Sequence, residues 1–371
     1  MLLQFTFSNF ASILEPVTLS MTEANITEFS SSLLKSPEDN LGILPLALIY
    51  GPNGGGKSNV LKAFSYLAKT VKESLKDKIH FQKSKVDHQL PSTFDITFRL
   101  KDREFNYQLS IQAQEVLEET LFARRLSEDT FDVVFDRDNE GIYLAPTLES
   151  LDVTDLNDDT TMLSFIKDKK ISKEISLATA WLSSLEIKNF YDFTKESFAI
   201  SYYENSYRTK ILKFFNEINI PLADITIQDK ELVLSYKNGF SIPVKEESQG
   251  VHAIFSMLCY YYQSTKNGQM LLLDDLSGNL HPKALEHFLK LFREDANKTQ
   301  LQCIASSNAM PAMHNTILRR DEIYLCAQDN KEASKLYSLA FYIKKNGEKV
   351  RKDEVYYKQY LEGRYGSTLI L

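Results

Sequence analysis

Two clusters in this 371-residue chain have the residue types and spacing for phosphate chemistry. The first, Gly51-Pro-Asn53-Gly54-Gly55-Gly56-Lys57-Ser58, satisfies every fixed position of G-x-x-x-x-G-K-[ST]. Small residues let consecutive backbone N–H groups curl around a phosphate. A helix starting at the loop adds partial positive charge there. Lys57 then bridges β- and γ-phosphate oxygens, the Ser58 hydroxyl ligates Mg2+, and Asn53 to Asn59 make up the nucleotide cradle. The second cluster, Leu271-Leu-Leu-Asp274-Asp275, is an apolar run delivering two acids at its end. Asp274 is expected to hold the Mg2+ directly or through water, and Asp275 to sit where a base orients the attacking water. Each cluster has a plainer reading, a chance glycine-rich turn or an acidic turn after a core strand. Their joint presence, with the flanking patterns below, weighs against both.

These groups must be positioned by strands and helices, and the patterning supplies them. Leu44 to Tyr50 is a continuous apolar run, the mark of a strand buried on both faces. Asn59 to Leu75 then has helical spacing. Residues 1–20 read as two strands around a turn at Ser8-Asn9, 22–40 as a loop, and 93–145 as several alternating strands. The stretch 150–220 turns helical, most clearly at Ile166 to Leu185 and Tyr207 to Ile218, and Ile225 to Phe240 reads as a hairpin turning at Lys237-Asn-Gly. Beyond it, helix (Val251 to Gln263), strand (Met270 to Leu273), helix (Pro282 to Phe292) and strand (Leu301 to Ala305) alternate, which implies an α/β core with a mainly parallel sheet. Ligands bind such sheets at the carboxyl ends of the strands, where Asp274 and Asp275 fall.

The composition is that of a folded protein, with 43% hydrophobic and 25% charged residues and no low-complexity tract. A formal net charge of −7 argues against non-specific coating of nucleic acid, although a local basic patch stays open. Cys259, Cys303 and Cys326 lie in apolar runs without CxxC spacing and read as buried free thiols of a reducing, cytoplasmic compartment. The N-terminus does not read as a signal peptide, and the longest apolar runs are too short to span a bilayer. His80, His88, His252, His287 and His314 show no metal-ligand spacing. The aromatic run Tyr260-Tyr-Tyr262 reads as packing, and Lys167 to Lys173 as a solvated helix face.

Several stretches together resemble the ABC-type ATPases of the RecF, SMC and OLD branch, and most of all the small stand-alone ATPases of bacterial anti-phage and abortive-infection operons. The likeness runs through Phe5-Thr-Phe-Ser-Asn9-Phe10-Ala-Ser12, the phosphate loop, Glu247-Ser248-Gln249-Gly250 as a shortened signature, Asp274-Asp275 with Leu280-His281-Pro282, Arg320-Asp321-Glu-Ile323, and the tail Tyr360-Leu-Glu-Gly-Arg364-Tyr-Gly366. It implies a P-loop ATPase head with a β-rich lobe and a helical insertion, one unit over 1–371 (1–150 with the phosphate loop, 150–220 the insertion, 221–371 the signature and carboxylate lobe). It implies two subunits, or a higher oligomer, arranged head to tail with ATP and Mg2+ between them, Ser248 and Gly250 of one copy facing the phosphate loop of the other. Taken alone, Ser248-Gln-Gly250 reads more readily as an ordinary helix N-cap after a strand. Gln82 lies where ABC ATPases place a metal-contacting glutamine, with a poor local match.

The chain departs from the family twice. Asp275 stands where a glutamate is usual, and Asn308 where a histidine contacts the γ-phosphate. A carboxylate one methylene short is misplaced by about 1 Å, which can cost on the order of a hundredfold. Asn donates a hydrogen bond but does not titrate. The expectation is slow hydrolysis, in an ATP-driven sensor or scaffold for a nuclease or toxin effector of the same operon in phage defence. No nuclease constellation is visible in the chain itself. Two alternatives stand beside this: a DNA-repair ATPase acting on DNA, which the charge does not favour, and a non-hydrolysing subunit clamped by ATP.

Overall fold

The computed structural model describes the chain except for residues 37–38, 74, 76–88, 170–171, 279, 295, 330–332 and 367–371. His80, Gln82 and His88 therefore lie outside the described residues. At the centre is a six-stranded sheet in the spatial order Ile187–Asn189, Leu271–Asp274, Cys303–Ser306, Leu46–Tyr50, Ile323–Gln328, Ser334–Ser338. Its first five strands run parallel, and the last is antiparallel. The strand that opens into the phosphate loop is thus flanked on both sides, and all five of its residues are buried. Period-two alternation divides them between two cores. Ala47 and Ile49 join one cluster, with the phosphate-loop helix Lys57–Thr70. Leu46, Leu48 and Tyr50 join the other, with the helices Gln249–Asn267 and Pro282–Glu294. An uninterrupted apolar run is what a strand feeding two cores requires.

The first core is closed by a seven-stranded antiparallel sheet, whose order is Ile142–Leu144, Asp132–Arg137, Glu115–Arg125, Arg103–Gln112, Ser92–Leu100, Leu2–Ser8, Val17–Ser20. Its inner face is aromatic: Phe5 lies 4.2 Å from Phe64 of the phosphate-loop helix, ring centroid to centroid.

The segment 150–220 is helical, as expected, with two differences. The single helix expected over Ile166 to Leu185 is two, Met162–Ile166 and Lys173–Ser183, the second starting after Ser172, whose backbone is extended. The segment also adds the strand Ile187–Asn189, paired with Leu271–Asp274. Its first half joins the core beneath the antiparallel sheet, where Trp181 stacks on Phe98 at 4.2 Å. Glu119 fastens it: the fully buried carboxylate accepts the Tyr107 hydroxyl at 2.8 Å and the N–H groups of Met162 and Leu163 at 2.5 and 3.2 Å. Burial pushes the Glu119 carboxyl above the usual carboxylate range, against the pull of these donors. The second half, with helices Glu196–Tyr202 and Arg208–Glu217, joins the other core.

The hairpin expected over Ile225 to Phe240 is a three-stranded meander, Leu222–Gln228, Glu231–Tyr236 and Ser241–Pro243. Its first turn is Asp229-Lys230, both left-handed at φ 48° and 68°, as a two-residue type I′ turn demands. Lys230 stands where Gly usually signals that turn. Lys237-Asn-Gly makes the second turn.

A knot of buried charge ties the far end of the molecule. Arg319, fully buried, donates to both oxygens of Asp321 at 2.8 and 2.7 Å and to the Glu28 carbonyl. Asp321 also accepts the Ala24 N–H at 2.9 Å. Glu322, fully buried, accepts from Arg293 and from the Arg319 N–H, and Arg320 pairs with Glu28 at 2.6 Å. The Arg320-Asp321-Glu-Ile323 stretch of the resemblance is therefore a joint. It fixes the loop around Ala24–Glu28 and the end of helix Pro282–Glu294 to the start of strand Ile323–Gln328.

Candidate functional site

The phosphate loop leaves the centre of the sheet, and its shape is imposed from outside it. At Gly51 an added Cβ would fall 2.2 Å from the Cys326 carbonyl oxygen on the neighbouring strand. Gly56, at φ 104°, caps the helix Lys57–Thr70, and the place of its missing Cβ lies 2.2 Å from Ser334 Oγ. Polar contacts complete the brace: Cys326 Sγ to the Gly55 carbonyl at 3.0 Å, Gln328 Nε2 to the Gly54 carbonyl at 3.0 Å, and the chain Asn59 Nδ2 to Ser12 Oγ (2.8 Å) to Ser334 Oγ (2.7 Å). Burial pushes the Cys326 thiol up to about 12, so it acts as a neutral donor. Cys259 and Cys303 are likewise buried and free.

Lys57 folds back over the loop and donates to the carbonyls of Gly51 and Pro52 at 2.7 and 3.0 Å. Burial pulls its ammonium below the ordinary lysine range, partly offset by the nearby carboxylates of Asp274 and Asp275. An anionic ligand in the loop would relieve that cost. Across the cleft, Ser58 Oγ donates to Asp274 Oδ1 at 2.9 Å, and Ser306 Oγ donates to the same oxygen at 2.5 Å. Asp275 follows in a left-handed backbone at φ 52°, its N–H held by Ser306 Oγ at 2.8 Å. That conformation is uncommon outside glycine but several-fold enriched in Asp and Asn. The turn therefore suits an aspartate at this position. Ser277 Oγ reaches Asp275 Oδ1 at 3.4 Å and accepts the Asn308 N–H at 3.1 Å.

The loop, the lysine and the two acids line one open cleft of about 410 Å³, bounded by Pro52 through Asn59, Asp274, Asp275, Ser306 and Asn308. The structure thus brings together Asn53, Gly54, Gly55, Gly56, Lys57, Ser58, Asn59, Asp274, Asp275 and Asn308. Ser248 and Gly250 are not among its lining residues. Ser248 caps the helix Gln249–Asn267, its Oγ accepting the Val251 N–H at 3.4 Å, and its own N–H donates to Glu247 at 3.0 Å. His281 is exposed and accepts the Lys283 N–H at the head of the next helix. Tyr260, Tyr261 and Tyr262 are buried in the core, Tyr261 against Phe292 at 5.0 Å. Among the described residues no group of three or more His, Cys, Asp or Glu could hold a metal by itself.

Sequence reasoning missed Ser306, Ser277, Ser334, Cys326 and Gln328. Ser306 alone carried a signal, since it ends a strand beside the one that delivers Asp274.

Residues 46–307 match the family model described as "AAA domain, putative AbiEii toxin, Type IV TA system". Among solved structures, the SMC head domain from Thermotoga maritima is similar over 91% of this chain and 98% of its own, at 13% identity and a TM-score of 0.50. The Smc head domain with an extended coiled coil from Pyrococcus furiosus, bound to the C-terminal domain of ScpA, aligns over 91% and 96% at 11% identity and a TM-score of 0.46. A search of curated proteins finds no match.

Proposed function

The chain belongs to the family of AAA domains described as putative AbiEii toxin, Type IV TA system, and we propose that it binds ATP with Mg2+ in this cleft, hydrolyses it slowly, and uses it to hold two copies head to tail. The observation that carries this reading is the cleft itself. Loop, lysine and both carboxylates face one open space. The N-terminus of helix Gln249–Asn267, with Ser248 and Gly250, would offer N–H and hydroxyl donors to the phosphate of a nucleotide held by a second copy. Ser58 and Asp274, oxygen donors already within hydrogen-bonding distance of each other, suit a hard divalent cation. Bound there, Mg2+ would neutralise charge on the β- and γ-oxygens. Lys57 and Asn308 would hydrogen-bond the transferred phosphate, and Asp275 would orient water. Its short side chain and the untitratable Asn308 argue for slow turnover.

The family's description names a toxin of a toxin–antitoxin system, which supports a defence setting. There the protein would act in the cytoplasm as an ATP-gated sensor or scaffold for a nuclease or toxin effector. Among the described residues no helix is long and apolar enough to cross a membrane.

The test is ATP turnover and oligomeric mass measured together. Wild-type protein should turn over well below about 1 s⁻¹, against a usual median near 10 s⁻¹, and form a dimer with ATP. Asp275→Ala should lower turnover by about a hundredfold, as loss of a general base does, and keep the ATP-dependent dimer. Lys57→Ala should lose both. Ordinary fast turnover would sink the slow-enzyme reading. ATP-driven assembly without turnover would leave nucleotide as a clamp only, which the changes at Asp275 and Asn308 also favour. A monomer under all conditions would remove the head-to-tail arrangement.

A further inference from the structure

We infer that Ser306 is a positioning residue for both carboxylates of the cleft, reserving one oxygen of Asp274 for hydrogen bonding and holding the backbone turn that aims Asp275. The inference rests on the reading of the cleft as a Mg–ATP site and assigns a role to a residue outside the recognised motifs.

Ser306 is the last residue of its strand, 2% exposed, and the register pairs Leu273 with Ala305, so that Asp274 and Ser306 come next at adjoining strand ends. The proton assignment is unambiguous. The Asp275 N–H can only donate, so Ser306 Oγ accepts it at 2.8 Å, and the hydroxyl's own proton is left for Asp274 Oδ1 at 2.5 Å. Ser58 donates to that same oxygen at 2.9 Å. An oxygen taking two hydroxyl donors is a pure acceptor, which leaves Oδ2 as the Asp274 atom without a hydroxyl claim. Of the two donors, Ser58 is the one a cation would recruit as a ligand. Ser306, buried between the strands, is the restraint that remains when Ser58 lets go.

The second bond acts on the backbone. At φ 52° Asp275 sits where a residue with a Cβ pays a conformational cost. Holding its N–H against Ser306 compensates for that cost and ends the strand abruptly, so that both carboxylates line the one cleft instead of pointing to opposite faces of a continuing strand. One hydroxyl thereby couples the geometry of the metal-side acid to that of the water-side acid. Ser277 makes a weaker contact to Asp275 alone, at 3.4 Å.

Full-length Ser306→Ala and Ser306→Thr should be compared with wild type by titrating a fluorescent ATP analogue in EDTA and across a Mg2+ series, alongside steady-state turnover. Ser306→Ala should leave Mg-free nucleotide affinity unchanged. It should raise the Mg2+ concentration for half-maximal tight binding by about tenfold and lower kcat by about tenfold, the size of one lost hydrogen bond to a charged group. Ser306→Thr, which keeps the hydroxyl, should restore both. Ser277→Ala should move kcat less and the Mg2+ dependence not at all. Should Ser306→Ala fold poorly, Ser306→Cys, similar in size and a weak donor, should give the same Mg2+ shift. Equal weakening with and without Mg2+, or failure of threonine to rescue, would reduce Ser306 to a packing residue and overturn the inference alone. A wild type whose nucleotide binding ignores Mg2+ would overturn the reading of the cleft, and this inference with it.

Discussion

Gly56→Ala is expected to lower ATP affinity by a factor of about 30 to several thousand while the protein stays folded. Two independent costs meet at this position. The backbone is at φ 104°, where an L-residue is strained by roughly 1–2 kcal/mol. The new methyl would also sit 2.2 Å from Ser334 Oγ and 2.7 Å from Ser334 Cβ, an overpacking that costs about 1–3 kcal/mol. The chain relieves both by moving the loop, and the loop carries the N–H groups and Lys57. About 2–5 kcal/mol charged to the binding-competent shape corresponds to a factor of about 30 to several thousand in Kd. Adding Ser334→Gly should recover the steric part and leave the backbone part. An unchanged Kd for Gly56→Ala, in a titration with a fluorescent nucleotide, would mean that Ser334 does not brace the loop.

The second large effect lies far from the cleft. Arg319→Met should destabilise the fold by about 3–5 kcal/mol, because it strands the partners of a buried cation. Asp321, 3% exposed, would lose both of its guanidinium bonds and keep only the Ala24 N–H. The Glu28 carbonyl would lose its donor as well. The double variant Arg319→Met with Asp321→Leu should recover part of the loss, since a well-packed apolar pair often equals a buried ion pair. Urea unfolding reads this as a lower midpoint at constant slope. A shift below about 1 kcal/mol would place the knot among the contacts that contribute little.

Local signals made much of the architecture legible in the sequence. The phosphate loop is contiguous, so one motif names its residues. The apolar run before it requires a strand between two cores, and the alternation from Phe94 onward requires half-buried strands. Illegible features depend on distance or on backbone shape. Ser12 and Ser334 touch across 322 positions, and although Ser12 ends a recognisable stretch, nothing in the sequence pairs it with Ser334. The turn at Asp229-Lys230 takes left-handed angles without a glycine to advertise them. The strand Ile187–Asn189 is three residues long, too short for a period to declare itself. The strands Ile323–Gln328 and Ser334–Ser338 went unassigned although they back the loop. Asp275 could be read as a shortened acid, but the left-handed backbone that suits aspartate there appears only in three dimensions.

The bracing of the phosphate loop also bears on inheritance. The stretch that the family model recognises runs from 46 to 307, yet the groups that shape the loop, Ser12 on one side and Cys326, Gln328 and Ser334 on the other, fall outside it. The segment that the family model recognises is therefore smaller than the unit that shapes the loop. A recombination event moving the recognisable segment alone into another chain would carry the letters of the motif without its shape. Drift in the strands that carry Cys326, Gln328 and Ser334 is expected to be answered by compensating change at the loop.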